Sequence, residues 1–213
     1  MLRFLAFGIL LFSAFAASLQ AETRRQVPAY TLDIAAGLYF PDDTNWANYY
    51  GSNNLPEAGI SFAYRVFSVL DIGSSVSFGR DSGSGILPLS QLPSGKVSYD
   101  ILPLEFYAVL RAQFSQKQWI VPYAGGGYSR FFYRQLIEGK TYARGSVNGM
   151  HLKAGLQFLL DPLDVKSAMR IYQNYGVINS YLVFEGKITR AQTHAPVVDL
   201  GGRSYRLGIK FEY

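Results

Sequence analysis

The chain has 213 residues, a formal charge of +5, no cysteine, and an abundance of tyrosine (16) and phenylalanine (15). Without cysteine there is no disulfide framework, no thiol nucleophile and no site for lipid attachment of the bacterial lipoprotein type. The basic excess is small and scattered along the chain, with no arginine run or basic helical face, which points away from nucleic acid as a partner.

Arg3 precedes the apolar run Phe4 to Phe12, and the small residues Ser13, Ala14, Ala16 and Ala17 follow. A positive start, a short apolar stretch and a small-residue region make an export signal over residues 1–21, cleaved after Ala21, with Ala16 or Ala17 as alternatives. A single membrane anchor is the competing reading, but the stretch is short of the roughly 20 residues a helical span needs. Without the first 21 of 213 residues, 192 remain, one domain over residues 22–213, and loss of Arg3 takes the charge from +5 to +4.

Eight strands are predicted in the remainder. The first runs from about Ala29 to Phe40, with Tyr30, Leu32, Ile34, Ala36, Leu38 and Phe40 alternating with Thr31, Asp33, Ala35, Gly37 and Tyr39. A polar stretch from Pro41 to Asn54 then reads as an exposed loop. Strand two spans Glu57 to Phe67, and a very short connection leads to strand three, Leu70 to Gly79. Turn-rich sequence from Arg80 to Lys96 reads as a second long loop. Strand four covers Val97 to Gln113. After a tight link comes strand five, Trp119 to Arg134, whose facing is blurred by Gly125, Gly126 and Gly127.

A third polar stretch, Glu138 to Gly145, precedes strand six, where Asn148, Met150, Leu152, Ala154, Leu156 and Phe158 share one face. Asp161-Pro162-Leu163-Asp164 interrupts the chain. Ala168, Ile171 and Tyr172 then fall at helical spacing, so a short helix over 167–175 is expected, with Gly176 as its stop. Strand seven follows from Val177 to Arg190, then a fourth loop around His194 to Gly201. The closing strand alternates Tyr205, Leu207, Ile209, Phe211 and Tyr213 with Arg206, Gly208, Lys210 and Glu212.

The connections alternate long and short, as in small bacterial barrels with long external loops and short periplasmic turns. After residue 21 no apolar run approaches a helical span, so a membrane-integral chain would have to be a closed barrel, because open sheet edges cannot sit in lipid. The fold class expected is therefore all-β, an eight-stranded antiparallel up-and-down transmembrane barrel with a helical insert. The rival is a soluble lipocalin-like barrel, which turns its apolar side chains inward. Full-length apolar faces opposed by small residues and both charge signs favour the inverse, membrane arrangement.

Three segments carry a family resemblance: Pro122 to Tyr128, Asp161 to Asp164 with the insert ahead of Gly176-Val177, and Leu207 to Tyr213. In these the chain resembles the OmpA/OmpW-type superfamily of small outer-membrane barrels, and more narrowly a barrel family of myxobacteria and related Gram-negative bacteria. The resemblance covers nearly all of residues 22–213 and is specific for fold and location. It implies a cell outer-membrane location, contact with outer-membrane lipids and lipopolysaccharide, and delivery by periplasmic chaperones to the barrel-assembly machinery. Phe211 and the terminal Tyr213 would be the assembly signal. The superfamily holds structural anchors, adhesins, channels for small apolar compounds and enzymes, so it does not choose an activity.

Asp33, Glu57, Arg65, Asp71, Glu105, Arg111, Lys153, Glu185, Lys187, Arg206, Lys210 and Glu212 all fall on polar faces. An eight-stranded barrel is only wide enough for side chains to fill it, and charges enclosed there must pair. A salt-bridged luminal plug is the reading preferred over an aqueous path. Of the two histidines, His151 lacks the His-x-Ser arrangement of lipid A deacylases, although Ser129 on the neighbouring strand could pair with it, and His194 is a loop residue near Asp199 and Ser204. Neither has companions at zinc-ligand spacing, and no cofactor motif is present. Trp46, in the first long loop, is the candidate for an external contact. The expected protein is a monomeric, non-enzymatic barrel with a structural or surface-binding role, extending to passage of small apolar solutes. A lipid-modifying enzyme and a soluble lipocalin-like binder stand as alternatives.

Overall fold

The computed structural model describes residues 28–43, 46–86, 93–115, 118–192 and 198–213. The expected signal segment and His194 lie outside the described residues. Eight strands form a closed antiparallel barrel, each paired with its neighbours in chain order: β1 Tyr30–Pro41, β2 Leu55–Phe67, β3 Leu70–Ile86, β4 Pro93–Arg111, β5 Ile120–Ile137, β6 Lys140–Leu159, β7 Asn179–Ala191 and β8 Gly202–Glu212. β8 pairs with β1 from Thr31↔Glu212 to Pro41↔Gly202, which closes the ring. The last residue joins the seam: Tyr213 donates its N–H to the Tyr30 carbonyl at 2.9 Å and accepts from the Ala29 N–H.

The alternation of residue types follows the two faces of the wall. Outward positions are apolar and exposed, including Ile34 at 54 %, Phe106 at 56 % and Ile188 at 57 %. Inward positions are polar and buried, including Glu105 and Arg111 at 1 % each. This is the inverse of a lipocalin, since a wall of isoleucine and phenylalanine facing water over its whole girth would be unstable. The structure therefore corrects the soluble-binder alternative. Starting from the short-turn end, β3 presents Leu70, Ile72, Ser74, Val76 and Phe78 outward, β4 presents Leu110, Ala108, Phe106, Leu104 and Leu102, and β5 presents Ile120, Pro122, Ala124, Gly126 and Tyr128. Such a run covers about 27 Å of strand at ~3.4 Å per residue, or about 21 Å of height at a tilt near 40°, close to the apolar band of a membrane barrel.

The three glycines of β5 do not disturb its facing. Tyr123, Gly125, Gly127, Ser129 and Phe131 point inward, and Ala124, Gly126 and Tyr128 outward. Gly125 and Gly127 have little space above them: a Cβ on Gly125 would lie 2.6 Å from the Val109 Cα, and one on Gly127 2.7 Å from the Tyr107 Cα. Their absence of side chain lets β4 carry bulky inward residues opposite them.

Two expected loops are strand. β3 continues past Gly79 to Ile86, and the polar stretch Glu138 to Gly145 belongs mostly to β6, joined to β5 by a tight turn in which Glu138 (φ 49°) and Gly139 (φ 75°) are both left-handed. Two successive positive φ values are what a two-residue hairpin turn requires. These extensions lie beyond the apolar band, where the outward face meets water and no hydrophobic alternation announces a strand.

The first loop contains a short helix, α1, Trp46–Tyr50, which sequence periodicity did not reveal. The expected insert is helix α2, Val165–Tyr175. Asp164 caps its start, accepting from the Ser167 N–H at 3.0 Å and the Ser167 hydroxyl at 2.6 Å, and left-handed Gly176 ends it, donating to the Tyr172 carbonyl. The Ser167 hydroxyl, with the backbone N–H second, holds the Asp164 carboxyl below its usual range. A depressed carboxylate contributes stability above its unfolded value and loses it as pH falls through the folded one. Asp164→Ala should therefore speed amide exchange in the first turn of α2 at neutral pH, with the difference from wild type shrinking towards acid pH. An unchanged exchange rate at pH 7 would refute the cap.

Candidate functional site

The lumen is organised in three tiers. At the short-turn end, Arg65 and Asp71 sit directly opposite each other across the β2–β3 turn. Arg65 Nε donates to Asp71 Oδ1 at 2.8 Å, and its Nη2 donates to Glu212 Oε1 at 2.7 Å. Arg111 Nη1 lies 2.7 Å from the same Glu212 oxygen and 3.9 Å from Asp71 Oδ2, with its guanidinium over the Tyr181 ring at 5.7 Å. Asn179 Nδ2 donates to Glu212 Oε2 at 2.9 Å. Four strands thus contribute to one buried cluster of two guanidiniums and two carboxylates, the arrangement that makes enclosed charge tolerable.

In the middle tier, Glu185 and Arg206 are register partners of β7 and β8 and form an ion pair. Tyr123 donates its hydroxyl to Glu185 Oε2 at 2.9 Å, and Lys153 Nζ lies 3.6 Å from that oxygen. Lys153 also stands over the Tyr107 ring, 3.3 Å from its centroid. Asp33 faces Lys210 in the β1–β8 register. Between these groups is a cavity of about 20 Å³, lined by Asp33, Ser61, Tyr107, Tyr123, Lys153, Glu185, Arg206 and Lys210 among others. That is room for a single water.

Further towards the loops, Lys187 Nζ donates to Glu105 Oε1 at 2.6 Å, and the Ser75 hydroxyl donates to Glu105 Oε2 at 3.1 Å. Ser129 Oγ and His151 Nδ1 are 2.6 Å apart, so the fold does bring this pair together. They do not make a hydrolytic site. The serine is fully buried and the histidine is 2 % exposed, and among the described residues His151 Nε2 has no hydrogen-bond partner, so no carboxylate orients the ring. Glu105, the nearby acid, is already engaged by Lys187 and Ser75. Among the described residues no group of His, Asp or Glu could hold a metal ion.

Above the charged tiers the lumen is closed by an apolar and aromatic cluster that includes Tyr39, Trp46, Tyr50, Leu55, Tyr99, Ile101 and Phe131. α1 lies in the barrel mouth. Trp46 packs on Tyr50 and Tyr99, with ring centroids 4.5 and 5.1 Å away, and donates its indole N–H to Asp81 Oδ2 at 3.0 Å. Trp46 is 5 % exposed, which corrects its assignment as an external contact. Its ring fills space that the barrel would otherwise leave open, and its one polar atom finds an acceptor inside.

All twelve charged residues expected on the polar faces point inward, Glu57 among them and buried at 4 %. The acids Asp33, Glu57, Asp71, Glu105, Glu185 and Glu212 equal in number the bases Arg65, Arg111, Lys153, Lys187, Arg206 and Lys210. Sequence reasoning put Tyr39, Tyr107 and Tyr181 on the polar faces but did not single out the luminal tyrosines as part of the site. Tyr39, Tyr99, Tyr107, Tyr123 and Tyr181 all share the parity of the charged residues, which was the available signal. Of the expected assembly residues, Phe211 lies on the outward face and Tyr213 at the β1–β8 seam, both half-buried.

No protein-family model matches the sequence, and no curated protein matches it. Solved structures do match. The outer membrane protein OprG from Pseudomonas aeruginosa is 12 % identical with a TM-score of 0.58, the match covering 88 % of this chain and 96 % of OprG. Neisserial surface protein A (NspA) is 13 % identical with a TM-score of 0.55, covering 86 % of this chain and 96 % of NspA. This chain has the fold of the small eight-stranded outer-membrane barrels. At such identities the likeness is one of fold, and the tiers described above are this chain's own.

Proposed function

We propose that residues 22–213 form a monomeric, non-enzymatic barrel of a Gram-negative outer membrane, with a sealed lumen and a structural or surface-binding role. Residues 1–21 are its export signal. Phe211 and Tyr213 present the terminus to the barrel-assembly machinery after escort by periplasmic chaperones, and the outer wall contacts membrane lipids and lipopolysaccharide. The kinship with a myxobacterial-type barrel family belongs to the same reading.

The observation that carries it is the filled lumen. Equal numbers of acids and bases fill the lumen beneath an aromatic mouth, most of them joined in ion pairs, and the cavity in the middle tier measures about 20 Å³. A hydrated ion needs far more space, and the groups it would have to displace are held by buried ion pairs. The aromatic mouth is the part of the lumen whose chemistry suits a small apolar solute. The loop-end surface around it is where a partner would bind, as the name of Neisserial surface protein A suggests for that barrel.

The test is conductance of the folded barrel in a planar bilayer, after a change in gel mobility between unboiled and boiled samples has verified folding. A sealed barrel gives no resolvable steps. Reproducible steps that disappear in Glu105→Ala or Lys187→Ala would make the lumen a pathway and overturn the sealed reading.

A further inference from the structure

Helix α2 has the two-sided composition of a helix between two media. Val165, Ala168, Met169 and Tyr172 recur at i, i+3, i+4 and i+7 on one face, while Lys166, Arg170, Gln173 and Asn174 share the other. It carries two bases and no acid. Yet none of its residues is buried and no strand makes an extended contact with it, so Val165, Met169 and Tyr172 stand exposed. Its eleven residues are fewer than the roughly 12 to 15 at which an isolated helix holds in water. Asp164 and Gly176 secure its ends, but neither covers its apolar face.

The fold holds that face at the short-turn rim. Before the helix, Leu160 donates its N–H to the Ser180 carbonyl at 2.9 Å, and Asp161 Oδ1 accepts from the Ser180 N–H at 3.1 Å. After it, the Ile178 N–H donates to the Glu212 carbonyl at 2.7 Å. The free links are short, so α2 cannot leave the edge of the wall. The outward rings of Phe158 and Phe184, 5.8 Å apart and edge-on, lie next to these tethers. The Trp119 carbonyl accepts from the Leu159 N–H at 2.9 Å, so an exposed tryptophan flanks the start of the insert. Aromatic rings of this kind mark the level of lipid headgroups. An apolar helix face beside cations, with the apolar wall of the barrel continuing from it, is the composition of a helix that lies in a membrane surface.

We propose that α2 is an interfacial anchor lying along the periplasmic leaflet, with Val165, Met169 and Tyr172 among the acyl chains and Lys166 and Arg170 against the phosphates of anionic glycerophospholipids. The inference rests on the outer-membrane reading above. It assigns a contact that the barrel wall does not make, since α2 stands outside the sheet and closure of the ring does not require it. The leaflet, not the barrel, then supplies the cover that keeps these eleven residues helical.

The chain has no cysteine, so a single introduced cysteine reports a single site. The full chain is expressed in a Gram-negative host, spin-labelled at Met169→Cys or Asn174→Cys, and reconstituted in phosphatidylcholine vesicles containing phosphatidylglycerol. Heat-dependent gel mobility first verifies a folded barrel; its absence would fail the outer-membrane reading, and the anchor would fall with it. Collisions with dissolved oxygen and with an aqueous nickel chelate then read depth. The Met169 label should meet oxygen in preference to the chelate, and the Asn174 label the reverse. In the same vesicles, α2 amides of Lys166→Gln with Arg170→Gln should exchange at least about tenfold faster than those of wild type, the scale of two basic residues at an anionic surface. Arg134→Gln with Arg144→Gln, at the opposite rim, should leave that exchange unchanged. A water-exposed Met169 label on a folded barrel, equal accessibility at the two sites, or wild-type exchange in the α2 variant would each overturn the proposal. Protection of Met169 in native membranes but not in pure lipid would give the face to a protein partner, and spin–spin broadening would give it to a second copy, either of which also overturns it.

Discussion

Glu212→Ala should lower the stability of the barrel by about 3–5 kcal/mol, the cost of removing one partner from a buried ion pair. Glu212 is fully buried, accepts hydrogen bonds from Arg65 and Asn179, and forms an ion pair with Arg111. Its loss leaves two enclosed guanidiniums with Asp71 as the remaining acid of the tier, and the lumen is too tightly filled for water to replace three contacts. Arg111→Ala should cost less, because Glu212 keeps Arg65. The measurement is urea unfolding in lipid vesicles, followed by the folded band of unboiled samples. An unfolding midpoint in Glu212→Ala equal to wild type would remove the structural role assigned to this tier. The order of the two variants is informative too: a larger loss in Arg111→Ala would mean that Arg111 and not Glu212 is the hub.

Trp46→Ala should cost about 3 kcal/mol, the lower end for emptying an aromatic site in a packed core, and the loss should appear at the mouth before it appears in the wall. Trp46 touches Tyr50 and Tyr99, and it is the contact that ties α1 to Asp81 on β3. Without it α1 has five residues and few means of staying helical, since a single turn is not stable alone. Limited proteolysis should then cut the segment between β1 and β2 in the variant and spare it in wild type. The wild-type environment is tested in a Trp119→Phe background, where Trp46 is the one remaining tryptophan. A buried indole resists acrylamide. Quenching as efficient as that of free tryptophan would return Trp46 to the outside of the barrel.

The position of Trp46 shows where local sequence stops informing. It lies between Asp42, Asp43 and Asn53, Asn54, and nothing in that polar neighbourhood marks one ring as internal. What draws it in is the unfilled mouth, a space created by Tyr39, Leu55, Tyr99 and Phe131 from four different strands. Ser129 and His151 make the same point with the opposite outcome. Parity put His151 on the polar face of its strand but left Ser129 open, because the glycines of its strand blur the alternation; contact at 2.6 Å required the β5–β6 register, and the register also deprived the pair of an acid.

The alternation of residue types was enough to show which residues share a face on every strand but the fifth. Two media on the two sides of one wall impose a period of two, and a period of two can be read one strand at a time. Tertiary structure decided the rest: the length of β3 and β6 beyond the apolar band, where water on the outer face erases the pattern; the plug at the mouth; and the meeting of Glu212 with Arg65 and Arg111. That meeting joins the last strand to β2 and β4 across the closed ring, and only closure brings residues so distant in the chain within 2.7 Å.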